Sequence, residues 1–229
     1  MSLLESIIEQ AVIEAAMSYG QAVSEDAVLF DIDQGGGFSY VLVSGKKMVE
    51  ALRIIKERMD VVGTDAKETT VQVLYTEQYL TDKCILGIID VDTVGKGHAL
   101  YSVGAVAAEK GYGPLLYDLA MKIIYPSWLT SDRTGKVEPS ARAVWDYYNN
   151  NRPEVERKDL VGKQAVETFT AMGLDYLNKA FRQKGVFMKL FDNREKVVKA
   201  YVKFGVPREF LSEVVSSCAT VYFEGKYNP

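Results

Sequence analysis

The residues best suited to chemistry lie between Val103 and Met121. A run of β-branched and small residues, Val103-Gly104-Ala105-Val106-Ala107-Ala108, leads through Glu109 and Lys110 into Gly111-Tyr112-Gly113-Pro114. Leu115, Leu116, Leu119, Ala120, Ile123 and Ile124 then share one helical face. A strand, a glycine loop and a helix in that order offer backbone N–H groups and the positive end of a helix dipole, which attract phosphate or pyrophosphate. Pro114 suits the first helical turn, where the N–H it lacks would have no intrahelical acceptor. Glycine also serves such turns sterically, so the loop alone leaves a phosphate site and a plain turn both open.

Other candidate constellations fail on spacing. Ser44-Gly45-Lys46-Lys47 resembles the end of a phosphate loop, but Tyr40 stands where the earlier glycine is required and no Ser or Thr follows the lysine. Asp31-x-Asp33 and Asp90-x-Asp92 resemble the start of calcium loops, yet Leu42 and Tyr101 occupy the twelfth places that need a bidentate carboxylate, so these are read as turn acids. Cys84 and Cys218 have neither a disulfide framework nor metal-ligand spacing, and are expected to be reduced, buried thiols. No metal is expected.

The elements that must carry the glycine loop follow from periodicity. Residues 2–19 read as an amphipathic helix, through Leu3, Leu4, Ile7, Ile8, Ala11, Val12, Ala15 and Ala16. Ala27–Ile32 and Phe38–Val43 read as strands of a hairpin joined through Gly35-Gly36-Gly37, and Lys46–Arg58 as a helix. Thr70–Tyr75, Cys84–Val91 and Gly97–Ala107 follow as strands with short polar turns, an antiparallel meander before the helix at 114–125. Trp128–Thr130 is a short strand, Glu138–Asn149 a helix, and the charged stretch 152–165 an exposed loop. Phe169–Phe181 has no clear period. Beyond it, helices are expected around Val197–Val202 and from Pro207 to Ser217, and a closing strand over Ala219–Phe223.

The 229 residues suffice for a sizeable core, and 48% hydrophobic with 25% charged residues is ordinary globular composition. A net charge of −4 and a pI of about 5.3 give no global basic field, which argues against nucleic acid or an anionic membrane surface as partner. The N-terminal stretch carries Glu5 and Glu9 and lacks a basic region and a cleavage site, and no run reaches the roughly 18 apolar residues of a membrane span. A soluble, cytoplasmic protein is expected.

Two motifs together resemble the GNAT N-acyltransferase superfamily. Its loop is written Gln/Arg-x-x-Gly-x-Gly/Ala, and Gly111 and Gly113 fill the glycine places while Ala108 departs from the first. Many members carry Asn-x-x-Ala-x-x-x-Tyr on a later helix, where this chain has Ser140-x-x-Ala143-x-x-x-Tyr147. The likeness covers roughly residues 70–150. The wording around Gly111–Asp118, Ser131-Asp132-Arg133 and Val144–Tyr148 also resembles GNAT-like proteins encoded by bacteriophages, which would place the chain in a host cytoplasm or a virion.

The resemblance implies an α/β (α+β) fold, with a mixed, mostly antiparallel central sheet flanked by helices. Residues 1–160 would form the acyltransferase-like domain and residues 161–229 a C-terminal, largely helical extension packed on it. It further implies acetyl-CoA as co-substrate, its pyrophosphate on the backbone of Glu109, Lys110, Gly111, Tyr112, Gly113, Pro114 and Leu115. Its pantetheine amides would pair with the 103–107 strand, including Val106. A substrate amine would attack the thioester, a backbone N–H near Ala105 would stabilise the oxyanion, and Tyr147 would protonate the thiolate. Asp90, Asp92 and His98 are candidate bases, and Arg133 or Arg142 could meet an anionic group. Trp145, Tyr147 and Tyr148 read equally as an aromatic cluster over the sheet.

The acceptor would be a small-molecule or protein amine, and homo-oligomerisation stays open. Two other readings stand beside this one. The chain could keep the fold without the reaction, as a phage structural or host-interaction protein in which residues 2–19 and the C-terminal third mediate assembly. It could also use another donor, as nucleobase-modifying relatives of the superfamily do.

Overall fold

The fold is described by a computed structural model over residues 22, 24–33, 37–62, 84–95, 99–134 and 136–183 and, near the C-terminus, Val215, Cys218, Ala219, Tyr222 and Gly225. The elements are β1 (Val28–Asp33), β2 (Gly37–Val43), α1 (Gly45–Val62), β3 (Ile85–Thr93), β4 (Leu100–Ala108) and α2 (Gly113–Ile123). They continue with β5 (Trp128–Thr130), α3 (Pro139–Asn151), β6 (Val155–Asp159), α4 (Glu167–Ala171) and β7 (Lys179–Gln183), with 3-10 turns at Gly162–Gln164 and Asp175–Asn178.

The seven strands form one sheet in the order β1-β2-β3-β4-β5-β7-β6. Only β4 and β5 run parallel, and α2 is the crossover between them. The sheet is therefore mixed and mostly antiparallel, as expected. It runs on past residue 160, because β7 is inserted between β5 and β6.

Ser44 starts α1: its side chain accepts from Lys47 N at 3.2 Å, an N-cap, and it donates to Glu25 Oε2. Met48 and Ala51 of that helix are buried. The apolar stripe of α2 packs on β3 and β7, with Leu116, Leu119, Ala120 and Met121 at most 1% exposed. Trp145 of α3 stacks on Phe181 of β7 at 5.2 Å, and Tyr117 of α2 meets the Trp145 ring edge-on at the same distance. Burying such rings contributes about 2–3 kcal/mol each, so this cluster pins both helices to the sheet.

Three expectations are corrected. The stretch 152–165 is not simply a loop, since Val155–Asp159 is the edge strand β6, paired with Lys179–Gln183. Only Val155 of it is fully buried, and the charged residues that hid the strand suit an edge that must not recruit another chain. Asp31, Asp90 and Asp92 lie within β1 and β3, not in turns. Ala219 and Tyr222 are helical, and Val215, Cys218, Ala219 and Tyr222 are buried at i, i+3, i+4, i+7 spacing, one face of a helix in place of the closing strand. The amphipathic segment 2–19, the strand at 70–75, the Gly35-Gly36 part of the hairpin and the helix around 197–202 lie outside the described residues.

Candidate functional site

β5 pairs with β4 only over Leu100–Ser102, matched to Trp128–Thr130. Beyond Ser102 the parallel pair separates. In the register between β3 and β4, Asp90 faces Ala105 and Val91 faces Val103, so Gly104 is an extra residue, a β-bulge two residues beyond the last one paired with β5. A Cβ on Gly104 would stand 2.9 Å from Asp92 Oδ2, so the bulge closes tightly on a residue without a side chain.

The separation opens a cavity of about 740 Å³, within the range of small-molecule sites. Val103 to Ala108 of β4 line it on one side, together with the aromatic pair Tyr117 and Trp145. Val137, Ala141 and Val144 close the far side, and Glu109, Lys110, Gly111, Gly113 and Pro114 form one end.

At that end the backbone donors can be counted. Glu109 N–H is bonded to Leu86 O at 2.9 Å and Tyr112 N–H to Glu109 O at 3.0 Å, and Pro114 has no N–H. Lys110 and Gly111 N–H find no acceptor among the described residues. Gly113 and Leu115 open α2, where amides lack intrahelical acceptors. Gly111 has φ +91°, a left-handed conformation that suits glycine. The helix start has no side-chain cap and no acidic residue in its first turn, so nothing of the helix's own competes for the dipole.

The expected cofactor-binding residues divide accordingly. Val106, Glu109, Lys110, Gly111, Gly113 and Pro114 line the cavity. Tyr112 and Leu115 do not: their side chains are 7% and 4% exposed within the core. Burial, with Glu25 nearby, raises the Tyr112 phenol above its ordinary value.

Tyr147 is buried but is not among the residues lining the cavity. Its ring lies 5.9 Å from Tyr148 and under the Arg152 guanidinium, and burial holds its hydroxyl pKa up against the pull of Arg152. Helical spacing from Ser140 places Tyr147 on α3 but does not bring it to the cavity, whereas Tyr117 of α2 does line it. The sequence signal for Tyr117 was its place one turn beyond Gly113-Pro114.

Of the candidate bases, Asp90 is hydrogen-bonded to the Ser39 hydroxyl, and burial raises its carboxyl above the usual range. Asp92 lies against the Gly104 bulge from outside the cavity, and His98 is outside the described residues. Arg133 donates to Leu177 O at 3.0 Å, to Asn178 Oδ1 and to Gln164 O, and Arg142 donates to Val137 O at 2.6 Å. Both arginines thus brace loops. The charged side chains in the wall are instead Glu109, Lys110, Asp132, Lys136 and Glu138, three carboxylates against two ammonium groups.

Both cysteines are free and buried, as expected, and burial pushes the Cys84 thiol up to about 12 and Cys218 to about 11. Among the described residues no group of acidic, Cys or His side chains is arranged to hold a metal ion, and no helix is long and apolar enough to cross a membrane. Comparison with known proteins returns no matching family model, no matching curated protein and no matching solved structure.

Proposed function

We propose that the chain is a GNAT-like, acyl-CoA-dependent N-acetyltransferase, with acetyl-CoA in the cavity between β4 and β5 and an amine as acceptor. One observation carries the reading: β4 loses its partner β5 at Ser102, and its backbone from Val103 onward walls a cavity that ends at Lys110, Gly111 and Gly113. A ligand with an extended, amide-bearing arm and a pyrophosphate matches both ends. The arm adds to a strand edge as an extra strand would, and the diphosphate meets a helix dipole and backbone N–H groups without an intramolecular acceptor among the described residues.

The reaction follows from that placement. The neutral amine attacks the thioester carbonyl carbon, and the carbonyl oxygen becomes an oxyanion beside the β4 backbone near Ala105. The C–S bond then breaks, the thiolate takes a proton, and the amine's proton leaves to a base or to water. Motif spacing names Tyr147 as the proton donor, and position in the wall names Tyr117.

A second reading keeps the fold and drops the reaction, as in a phage structural or host-interaction protein. It is favoured by Tyr147 lying off the cavity wall, and by Ala108 and Ser140 at the two departing motif positions. Isothermal titration with acetyl-CoA and with CoA separates the two: micromolar binding is expected, and no binding of either ligand leaves the interaction role.

A further inference from the structure

Glu109 is a carboxylate beside amides that favour anions. Its N–H and carbonyl are held by Leu86 and Tyr112, and its Oε1 accepts the Tyr222 hydroxyl at 2.9 Å. Tyr222 comes from 113 residues further along the chain and is 5% exposed. It ends the buried set Val215, Cys218, Ala219 and Tyr222, so one helical face delivers a single hydroxyl to the phosphate end of the cavity. Burial and the bond to Glu109 hold the phenol well above its ordinary pKa, so it stays a donor.

A carboxylate near bound phosphate repels it, and a hydrogen bond from a neutral hydroxyl both fixes that carboxylate and disperses its charge. We propose that Tyr222 is a positioning residue for Glu109, and that through this bond the C-terminal segment sets the affinity of the cavity for phosphate-bearing ligands. The inference rests on the reading that the loop takes a phosphate. It gives the C-terminal segment a part in the site that no local motif announces.

The test titrates the full chain with CoA and with inorganic pyrophosphate, in the wild type, Tyr222→Phe, Glu109→Gln and the double variant. Tyr222→Phe is expected to weaken both ligands by about three- to tenfold, less than the full worth of a hydrogen bond to a charged group because the hydroxyl acts on the ligand only through Glu109. Glu109→Gln should tighten both, and the double variant should match Glu109→Gln alone, because the hydroxyl acts through the carboxylate. A loss that persists in the Glu109→Gln background makes Tyr222 merely structural and overturns the inference, as does unchanged binding in Tyr222→Phe. Should Tyr222→Phe not fold, Glu109→Gln decides alone: failure to tighten overturns it. Absence of binding of either ligand to both wild type and Glu109→Gln removes the phosphate reading itself.

Discussion

Tyr148 donates its hydroxyl to Asp118 Oδ1 at 2.8 Å, and the same hydroxyl reaches the Pro114 carbonyl at 3.0 Å. Arg152 meets the other Asp118 oxygen at 3.2 Å and lies over the Tyr148 ring. The start of α2, and with it the glycine loop, is therefore locked to α3 by a buried polar network. Burial raises the Asp118 carboxyl above its usual range, and Arg152 opposes that rise.

Removing the cation should expose how much this lock depends on charge compensation. Arg152→Met leaves a buried carboxylate with only neutral donors, the Tyr148 hydroxyl and the Gln183 amide, and is expected to destabilise by about 3–5 kcal/mol. Tyr148→Phe should lose about 1–3 kcal/mol. Urea unfolding measures both, and an Arg152→Met variant as stable as wild type would show that the pair contributes nothing.

The glycine-loop end of the cavity, where the proposed ligand's phosphates would lie, can be blocked without harm to the fold. A Cβ at Gly113 meets nothing within 4 Å, and a carboxylate in the first turn of a helix favours its dipole. Gly113→Glu is therefore expected to keep the melting temperature while lowering CoA affinity at least about 100-fold, the effect of a charge held among the donors of the loop. Gly111→Ala acts differently: at φ +91° it strains the backbone by roughly 1 kcal/mol or more. Retained CoA binding in Gly113→Glu would place the ligand elsewhere.

Much of this site could be read from the chain because glycine and proline punctuate it. Gly111, Gly113 and Pro114 mark a turn and a helix start wherever they occur after an apolar run, and α2 begins there. The strand β6 has no legible period because four of its five residues, Glu156, Arg157, Lys158 and Asp159, are charged. The stretch Ala219–Phe223 reads the opposite way: its composition favours a strand, whereas Ala219 and Tyr222 lie on a helical face and Tyr222 is held by a contact far along the chain. The bulge at Gly104 has no local signature, since it exists only in the register with Asp90 and Val91.

Asp90 should make stability depend on pH. Burial raises its folded-state carboxyl pKa despite the Ser39 hydrogen bond. A raised carboxyl binds its proton more tightly in the folded state, so its contribution is largest below the unfolded value of about 3.9 and is lost as pH rises through the raised folded value. Asp90→Asn removes the titration. The melting temperature of this variant relative to wild type should therefore rise across that window, and a constant difference from about pH 3.5 to pH 7 would contradict the assignment.

In the proposed reaction Tyr117 and Tyr147 make competing claims on the thiolate proton, one by position in the wall and one by spacing. Tyr117 lines the cavity beside Trp145, whereas Tyr147 is packed between Tyr148 and Arg152. Loss of a proton donor lowers turnover by about 10²-fold or more while leaving donor binding intact. Release of CoA thiol from acetyl-CoA in the presence of a primary amine is expected to fall by that factor in Tyr117→Phe, at unchanged CoA affinity, and to stay within about twofold in Tyr147→Phe. The reverse result would return the role to Tyr147 and would require α3 to shift when the donor binds. Turnover unchanged in both variants would mean that water supplies the proton and that the cavity's contribution is positioning and the backbone oxyanion contact alone.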